Sequence, residues 1–244
     1  MALFHANFFS QTLGIQSSAN VMLPNDIKPG ERLPVLYLLH GLSDDHTIWQ
    51  RRTSLERYLE SYRLAVVMPN GHRSFYTDMA HGEKYFTYMA DELPQLMQGF
   101  FPIARERALN FVAGLSMGGY GAFKLALNRP QQYAAAASLS GALNMAGRDW
   151  ESFGPLMETV FDSPEVLQGP PHNLLAVIKQ LDAADCPALF QACGTEDFIY
   201  EENLIFRDAA KAAGLPLTYT EGSGSHEWSY WDALIQEVLS WLPL

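Results

Sequence analysis

Ser116 stands in Gly114-Leu115-Ser116-Met117-Gly118, with an apolar run over 109–113 before it and a helix-like segment over 119–128 after it. Strand, sharp turn and helix is the context in which G-x-S-x-G forms a nucleophile elbow. The turn is too tight for side chains at the flanking positions. It pushes the serine hydroxyl above the sheet, and the helix behind it aims free N–H groups and positive partial charge at the place where an oxyanion would form. The bland alternative is a chance pattern of common residues. The strand, the helix and the further glycines Gly119 and Gly121 weigh against it.

A serine hydroxyl is a weak nucleophile and needs a base within hydrogen-bond reach, oriented by a third group. After such an elbow the partners follow in the order Ser, then Asp or Glu, then His, at the carboxyl ends of strands. The histidines after Ser116 are His172 and His226. His172 lies just before a helix in a Pro-rich segment and suits a solvated or capping role. His226 lies in Gly222-Ser223-Gly224-Ser225-His226-Glu227-Trp228, between the last strand and the last helix, and is the expected base.

Glu196 and Asp197 follow the strand over 188–192 and compete for the acid. Neighbours on a turn point differently, so one alone should meet the histidine; Asp197 is preferred. The oxyanion hole needs two backbone donors. The amides of Met117 and of Leu42, after His40-Gly41, are expected to supply them. Gly41 lets the backbone approach substrate closely. His40 precedes the nucleophile, against the expected order, and reads as a structural ring beneath its loop. His5, His46, His72 and His81 lack metal-ligand spacing, so no metal is expected, and phosphate-loop and dinucleotide fingerprints are absent.

These residues need a frame. Apolar runs over 35–39 and 64–68, the nucleophile strand and runs over 134–139, 188–192 and 217–220 alternate with helical segments over 53–62, 91–101, 119–128, 173–181, 203–213 and 228–242. That alternation predicts an α/β fold with a mostly parallel sheet covered by helices on both faces. Residues 4–11 and 15–23, joined at Leu13-Gly14, predict an antiparallel pair at its edge. The segment 143–171 breaks the pattern with glycines and prolines. A long irregular insertion is usually functional or disordered. It reads either as a small lid carrying Trp150, Phe153, Met157 and Phe161, with Trp150 and Phe153 on the substrate, or as a surface excursion with buried aromatics. No repeat or linker divides the 244 residues, so one domain over 1–244 is expected.

The net charge of −11 argues against nucleic acid as a partner and weakly against anionic membranes. No apolar stretch has the length of a membrane span. The chain does not open on a basic region followed by an apolar core. Cys186 and Cys193 read as buried thiols in a reducing compartment. A cytoplasmic protein is the expectation.

The set Tyr37-Leu38-Leu39-His40-Gly41-Leu42-Ser43, Val67-Met68-Pro69-Asn70, Tyr76-Thr77-Asp78, Ala113 to Gly121, Cys193-Gly194-Thr195-Glu196-Asp197-Phe198 and His226-Glu227-Trp228 resembles bacterial tributyrin esterases. These are short-chain carboxylesterases of the esterase D group, related to S-formylglutathione hydrolases. The resemblance implies an α/β-hydrolase fold, a triad of Ser116, Asp197 and His226, oxyanion donors at Leu42 and Met117, no cofactor, and a homo-oligomer, dimer or tetramer. It implies short-chain esters, acetyl to butyryl, as substrates. S-formylglutathione hydrolases usually carry Thr-Cys where this chain has Ser43-Asp44, which favours the carboxylesterase. The alternatives on the same triad are a formyl thioester or a small aromatic acyl ester. From another class, a catalytically silent binding module on a hydrolase fold is the rival.

Overall fold

The structure, a computed structural model, describes residues 1–152 and 154–244. Its frame is an eight-stranded sheet of order β1-β2-β4-β3-β5-β6-β7-β8. The strands are β1 (Ala2–Ser10), β2 (Ile15–Leu23), β3 (Val35–Leu39), β4 (Ala65–Pro69), β5 (Asn110–Leu115), β6 (Ala135–Leu139), β7 (Ala188–Gly194) and β8 (Leu217–Gly222). β1 pairs antiparallel with β2, and β2 antiparallel with β4. From β4 to β8 every pairing is parallel. This is the mostly parallel sheet with an antiparallel edge that the sequence predicts.

The helices are α1 (Ile48–Arg52), α2 (Leu55–Tyr58), α3 (Tyr85–Thr87), α4 (Leu93–Phe100), α5 (Met117–Asn128), α6 (Pro155–Phe161), α7 (Leu174–Ile178), α8 (Tyr200–Ala212) and α9 (Trp228–Trp241). β3 shows how the helices cover both faces. Val35, Tyr37 and Leu39 enter the apolar cluster that holds α5 and α8, while Leu36 and Leu38 enter the one that holds α9. Successive side chains on a strand point to opposite faces. A strand apolar at every position therefore serves two cores at once. Each fully buried Leu or Val contributes about 1.5–3 kcal/mol relative to exposure.

Three sequence expectations change. The helix expected over 53–62 starts earlier, at Ile48, and breaks at Thr53, whose hydroxyl donates to the Trp49 carbonyl at 2.6 Å. β2 is expected to bury one face only. It does so at Ser17 and Ala19, but Asn20 to Leu23 are all buried, because β2 lies between β1 and β4 rather than at the edge. Within 143–171 the chain forms α6 and short 3-10 turns at Met145–Gly147 and Pro164–Gln168. The Ala80 and His81 amides donate to the Val160 and Thr159 carbonyls, docking this segment on the loop after β4. No helix among the described residues is long and apolar enough to cross a membrane.

Candidate active site

The chain passes from β3 out to β4, then returns to β5 on the other side of β3. At such a reversal the loops leaving the carboxyl ends diverge and open a crevice. Leu42 follows β3, Ser116 follows β5, Ser140 follows β6, Asp197 follows β7 and His226 follows β8. All five leave one edge of the sheet because these strands are parallel.

Ser116 sits at φ 53°, ψ −118°, between the end of β5 and the first residue of α5. Its amide donates to the Leu139 carbonyl at 2.9 Å, and its carbonyl accepts the Tyr120 and Ala142 amides at 3.1 and 3.3 Å. The glycines allow this turn. A Cβ on Gly114 would lie 2.3 Å from the Gly118 carbonyl oxygen, and one on Gly118 would lie 2.6 Å from the Leu39 carbonyl oxygen.

The Ser116 hydroxyl lies 2.9 Å from His226 Nε2. His226 Nδ1 lies 2.9 and 3.1 Å from the two Asp197 carboxylate oxygens. Serine donates to the imidazole, and the Nδ1–H donates to the carboxylate. Burial by itself raises the Asp197 carboxyl. Hydrogen bonds from His226, the Ile199 amide and Ser140 outweigh it and hold the group below the ordinary aspartate value. Glu196 is exposed and turns away, accepting the Gly224 amide at 2.6 Å. It braces the loop that carries His226 and does not meet the ring.

Ser116 and His226 open on a cavity of about 350 Å³ whose lining also includes Gly41, Leu42 and Met117, while the Asp197 carboxylate is buried behind His226. The Tyr120 amide closes the first turn of α5 on the Ser116 carbonyl. The Met117 amide therefore stands at the open helix terminus, where N–H groups lack intrahelical partners. Leu42, on the loop after β3, lines the same cavity. The pair can hold an oxyanion formed on a carbonyl attacked by Ser116.

His40 is the structural ring expected, 1% exposed, with Nδ1 2.7 Å from the Gly41 carbonyl. Burial pushes it down to about 4, so it is neutral. His172 differs from expectation. It is half-buried, with its ring edge-on to Phe161 and its Nδ1 3.1 Å from the Lys124 ammonium. Burial, with the Lys124 charge, pushes it down to about 3, and the residue that caps α7 is Asn173 rather than His172.

Trp150 lies elsewhere than expected. It is partly buried against the larger apolar cluster and does not line the cavity. Arg148, two residues earlier, does, with its Nε donating to Glu202 at 3.0 Å. Met157 and Phe161 are fully buried, since α6 packs its apolar side onto the domain. Phe153 lies outside the described residues.

Sequence reasoning passed over Asp44, Phe75, Phe198, Trp228 and Trp231, which also line the cavity. It also missed Ser140, whose hydroxyl accepts Trp231 Nε1–H at 3.1 Å. A signal for several was present. Trp228 and Trp231 follow His226 closely, Phe198 follows Asp197, and Ser140 ends β6 at the same edge.

The family model described as "Putative esterase" matches residues 10–242. An acetyl esterase of Caldicellulosiruptor saccharolyticus is 30% identical, over 99% of this chain and 98% of its own length. Two solved structures from Staphylococcus aureus are similar throughout. FphF, a fluorophosphonate-binding serine hydrolase with substrate bound, has a TM-score of 0.91 at 34% identity, covering 99% of this chain and 98% of its own. The S-formylglutathione hydrolase FrmB, as apoenzyme, has a TM-score of 0.88 at 34% identity with the same coverage. With a matching model across nearly its whole length, the chain belongs to this family of esterases, carboxylic ester hydrolases of the α/β-hydrolase fold, in its esterase D-like group.

Proposed function

We propose that the protein is a serine carboxylesterase acting on short-chain esters, acetyl to butyryl and of the tributyrin type. The observation that carries the reading is the hydrogen-bonded row Ser116–His226–Asp197, whose first two members line one cavity. Ser116 Oγ attacks the ester carbonyl carbon while His226 Nε2 takes its proton. The Leu42 and Met117 amides hold the tetrahedral oxyanion. Asp197 fixes the imidazole tautomer and stabilises the imidazolium. His226 returns the proton to the leaving alcohol, then activates a water that releases the acid. Gly41 keeps backbone close to the bound carbonyl.

Residues 1–244 act as one domain, with 143–171 as a cap that reaches the cavity at Arg148. The protein works on a small molecule rather than nucleic acid or a membrane surface, a reading supported by its net charge of −11. It works in the cytoplasm as a homo-oligomer, which light scattering on the purified protein tests. The second reading, a formyl thioester hydrolase on the same three residues, is favoured by the 34% identity to FrmB.

Initial rates on p-nitrophenyl acetate, butyrate and octanoate, for wild type beside Ser116→Ala, test the proposal. Turnover that peaks at acetate or butyrate and vanishes in the variant supports it. Equal weak rates in both proteins would be background, and the binding module would be the better reading. S-formylglutathione beside ethyl butyrate separates the two hydrolases.

A further inference from the structure

Phe198 has no role in the reaction as proposed, yet it stands at its centre. It is 76% exposed, the most of any exposed large apolar residue described. It is also firmly held. The Asp197 carboxylate accepts the Ile199 amide at 3.1 Å, and the Tyr200 amide donates to the Asp197 carbonyl at 2.9 Å. The turn that fixes the acid thus fixes the Phe198 backbone, and α8 begins two residues on. The Phe198 ring centre lies 4.6 Å from the His226 imidazole, tilted by 55°. Trp231 meets the same imidazole edge-on at 4.9 Å, and Trp228 meets Trp231 at 5.3 Å. Phe198, Trp228 and Trp231 all line the cavity beside His226.

The chemistry decides which part of an ester meets this wall. The proton that His226 takes from Ser116 must pass from the same Nε2 to the departing oxygen, so the leaving group lies on the His226 side. The acyl group stays bonded to Ser116, with its oxygen toward Leu42 and Met117. The aromatic wall therefore faces the alcohol. An exposed ring keeps unfavourable hydration until a ligand covers it, and a flat apolar group covers it best.

We infer that Phe198, with Trp228, forms a leaving-group subsite that selects esters whose alcohol carries a flat apolar or aromatic group. The inference rests on the serine-esterase reading above. In acylation the bond from acyl carbon to alcohol oxygen breaks and a bond from acyl carbon to Ser116 Oγ forms. The serine proton leaves with the alcohol through His226, and water is the sole co-reactant.

The test uses two ester panels on wild type, Phe198→Ala and Phe198→Leu. One panel fixes acetyl and varies the alcohol through ethyl, cyclohexylmethyl, benzyl and 2-naphthylmethyl. The other fixes ethanol and varies the acyl group from acetyl to hexanoyl. Wild-type kcat/KM should rise ten-fold or more from ethyl to benzyl and 2-naphthylmethyl acetate. Phe198→Ala should lose most of that rise, chiefly through KM, and keep the acyl ranking, with Phe198→Leu in between. Equal losses on every ester would make Phe198 a mere support for His226 and overturn the inference. So would a flat alcohol profile in an active wild type, which leaves the esterase reading standing. A wild type inert on both panels would overturn both.

Discussion

His40 joins two loops by accepting the Gly71 amide on Nε2 at 2.9 Å, 31 residues away along the chain. Its other nitrogen, as Nδ1–H, donates to the Gly41 carbonyl. One ring thereby fixes its own tautomer and clamps the loop that carries the Leu42 amide. Tyr76 adds a third hold, its hydroxyl donating to the His40 carbonyl at 2.9 Å.

Replacing this clamp should loosen one oxyanion donor and leave the nucleophile in place. His40→Ala is expected to lower kcat by about 10- to 100-fold with KM little changed, somewhat less than deletion of a donor itself. Steady-state kinetics on p-nitrophenyl butyrate, with active sites counted by the p-nitrophenol burst, give the answer. An unchanged kcat per active site would show that the loop holds itself.

The acid and its neighbour should separate cleanly. Asp197→Asn removes the carboxylate that fixes the imidazole tautomer, and a loss of about 10⁴ in kcat is expected. Glu196→Gln removes one charge-assisted bond to the Gly224 amide and should cost about ten-fold or less. His226→Ala should cost 10⁴ or more, on the order of other triad deletions. The opposite ranking of Asp197 and Glu196 in the same assay would transfer the acid to Glu196.

Much of this site was legible because parallel strands end at one edge. Once the runs ending at Leu39, Ala113, Ala192 and Thr220 are read as strands, residues just beyond them have to converge. The strands run on by one or two residues, β5 through Gly114 and Leu115 and β7 through Cys193 and Gly194. Position along the chain carried no information about packing between loops. That is why His172 read as solvated although Phe161 and Lys124 pack on it, and why Trp150 read as substrate-facing although it packs against the larger apolar cluster. Lys124 is buried for the same reason, since Thr77 on the loop after β4 and His172 before α7 fold over it.

The elbow should tolerate no added methyl group. A Cβ at position 118 would meet the Leu39 and His40 carbonyl oxygens at 2.6 and 2.7 Å, and both are backbone atoms that cannot swing aside. Gly118→Ala is expected to cost about 3 kcal/mol, the upper end of overpacking costs. Urea unfolding read by far-UV circular dichroism checks it, and a loss below about 1 kcal/mol would mean that β3 and α5 can move apart.

Lys124 gives a prediction with a definite sign. It lies 1% exposed within α5, where its ammonium donates to the Thr77 hydroxyl and to His172 Nδ1 and sits over the Tyr120 ring at 5.3 Å. Burial pushes it down to about 7, with Asp78 pulling the other way. The folded value is thus below the ordinary 10.5 of the unfolded chain. Between these limits the unfolded state binds a proton that the folded state has released, so this residue makes stability rise with pH. The slope is at most about 1.4 kcal/mol per pH unit. His172 acts in the acid range by the same logic. Its value of about 3 lies below the ordinary 6.5, so its contribution falls away as pH drops from 6.5 toward 3. Lys124→Met keeps the length of the side chain and removes the titration. Urea unfolding of both proteins from pH 7 to 9.5 should show wild type gaining on the variant as pH rises. Other titrating groups cancel in the difference, so a gap independent of pH would mean that Lys124 stays protonated throughout, compensated by Asp78 and the aromatic rings.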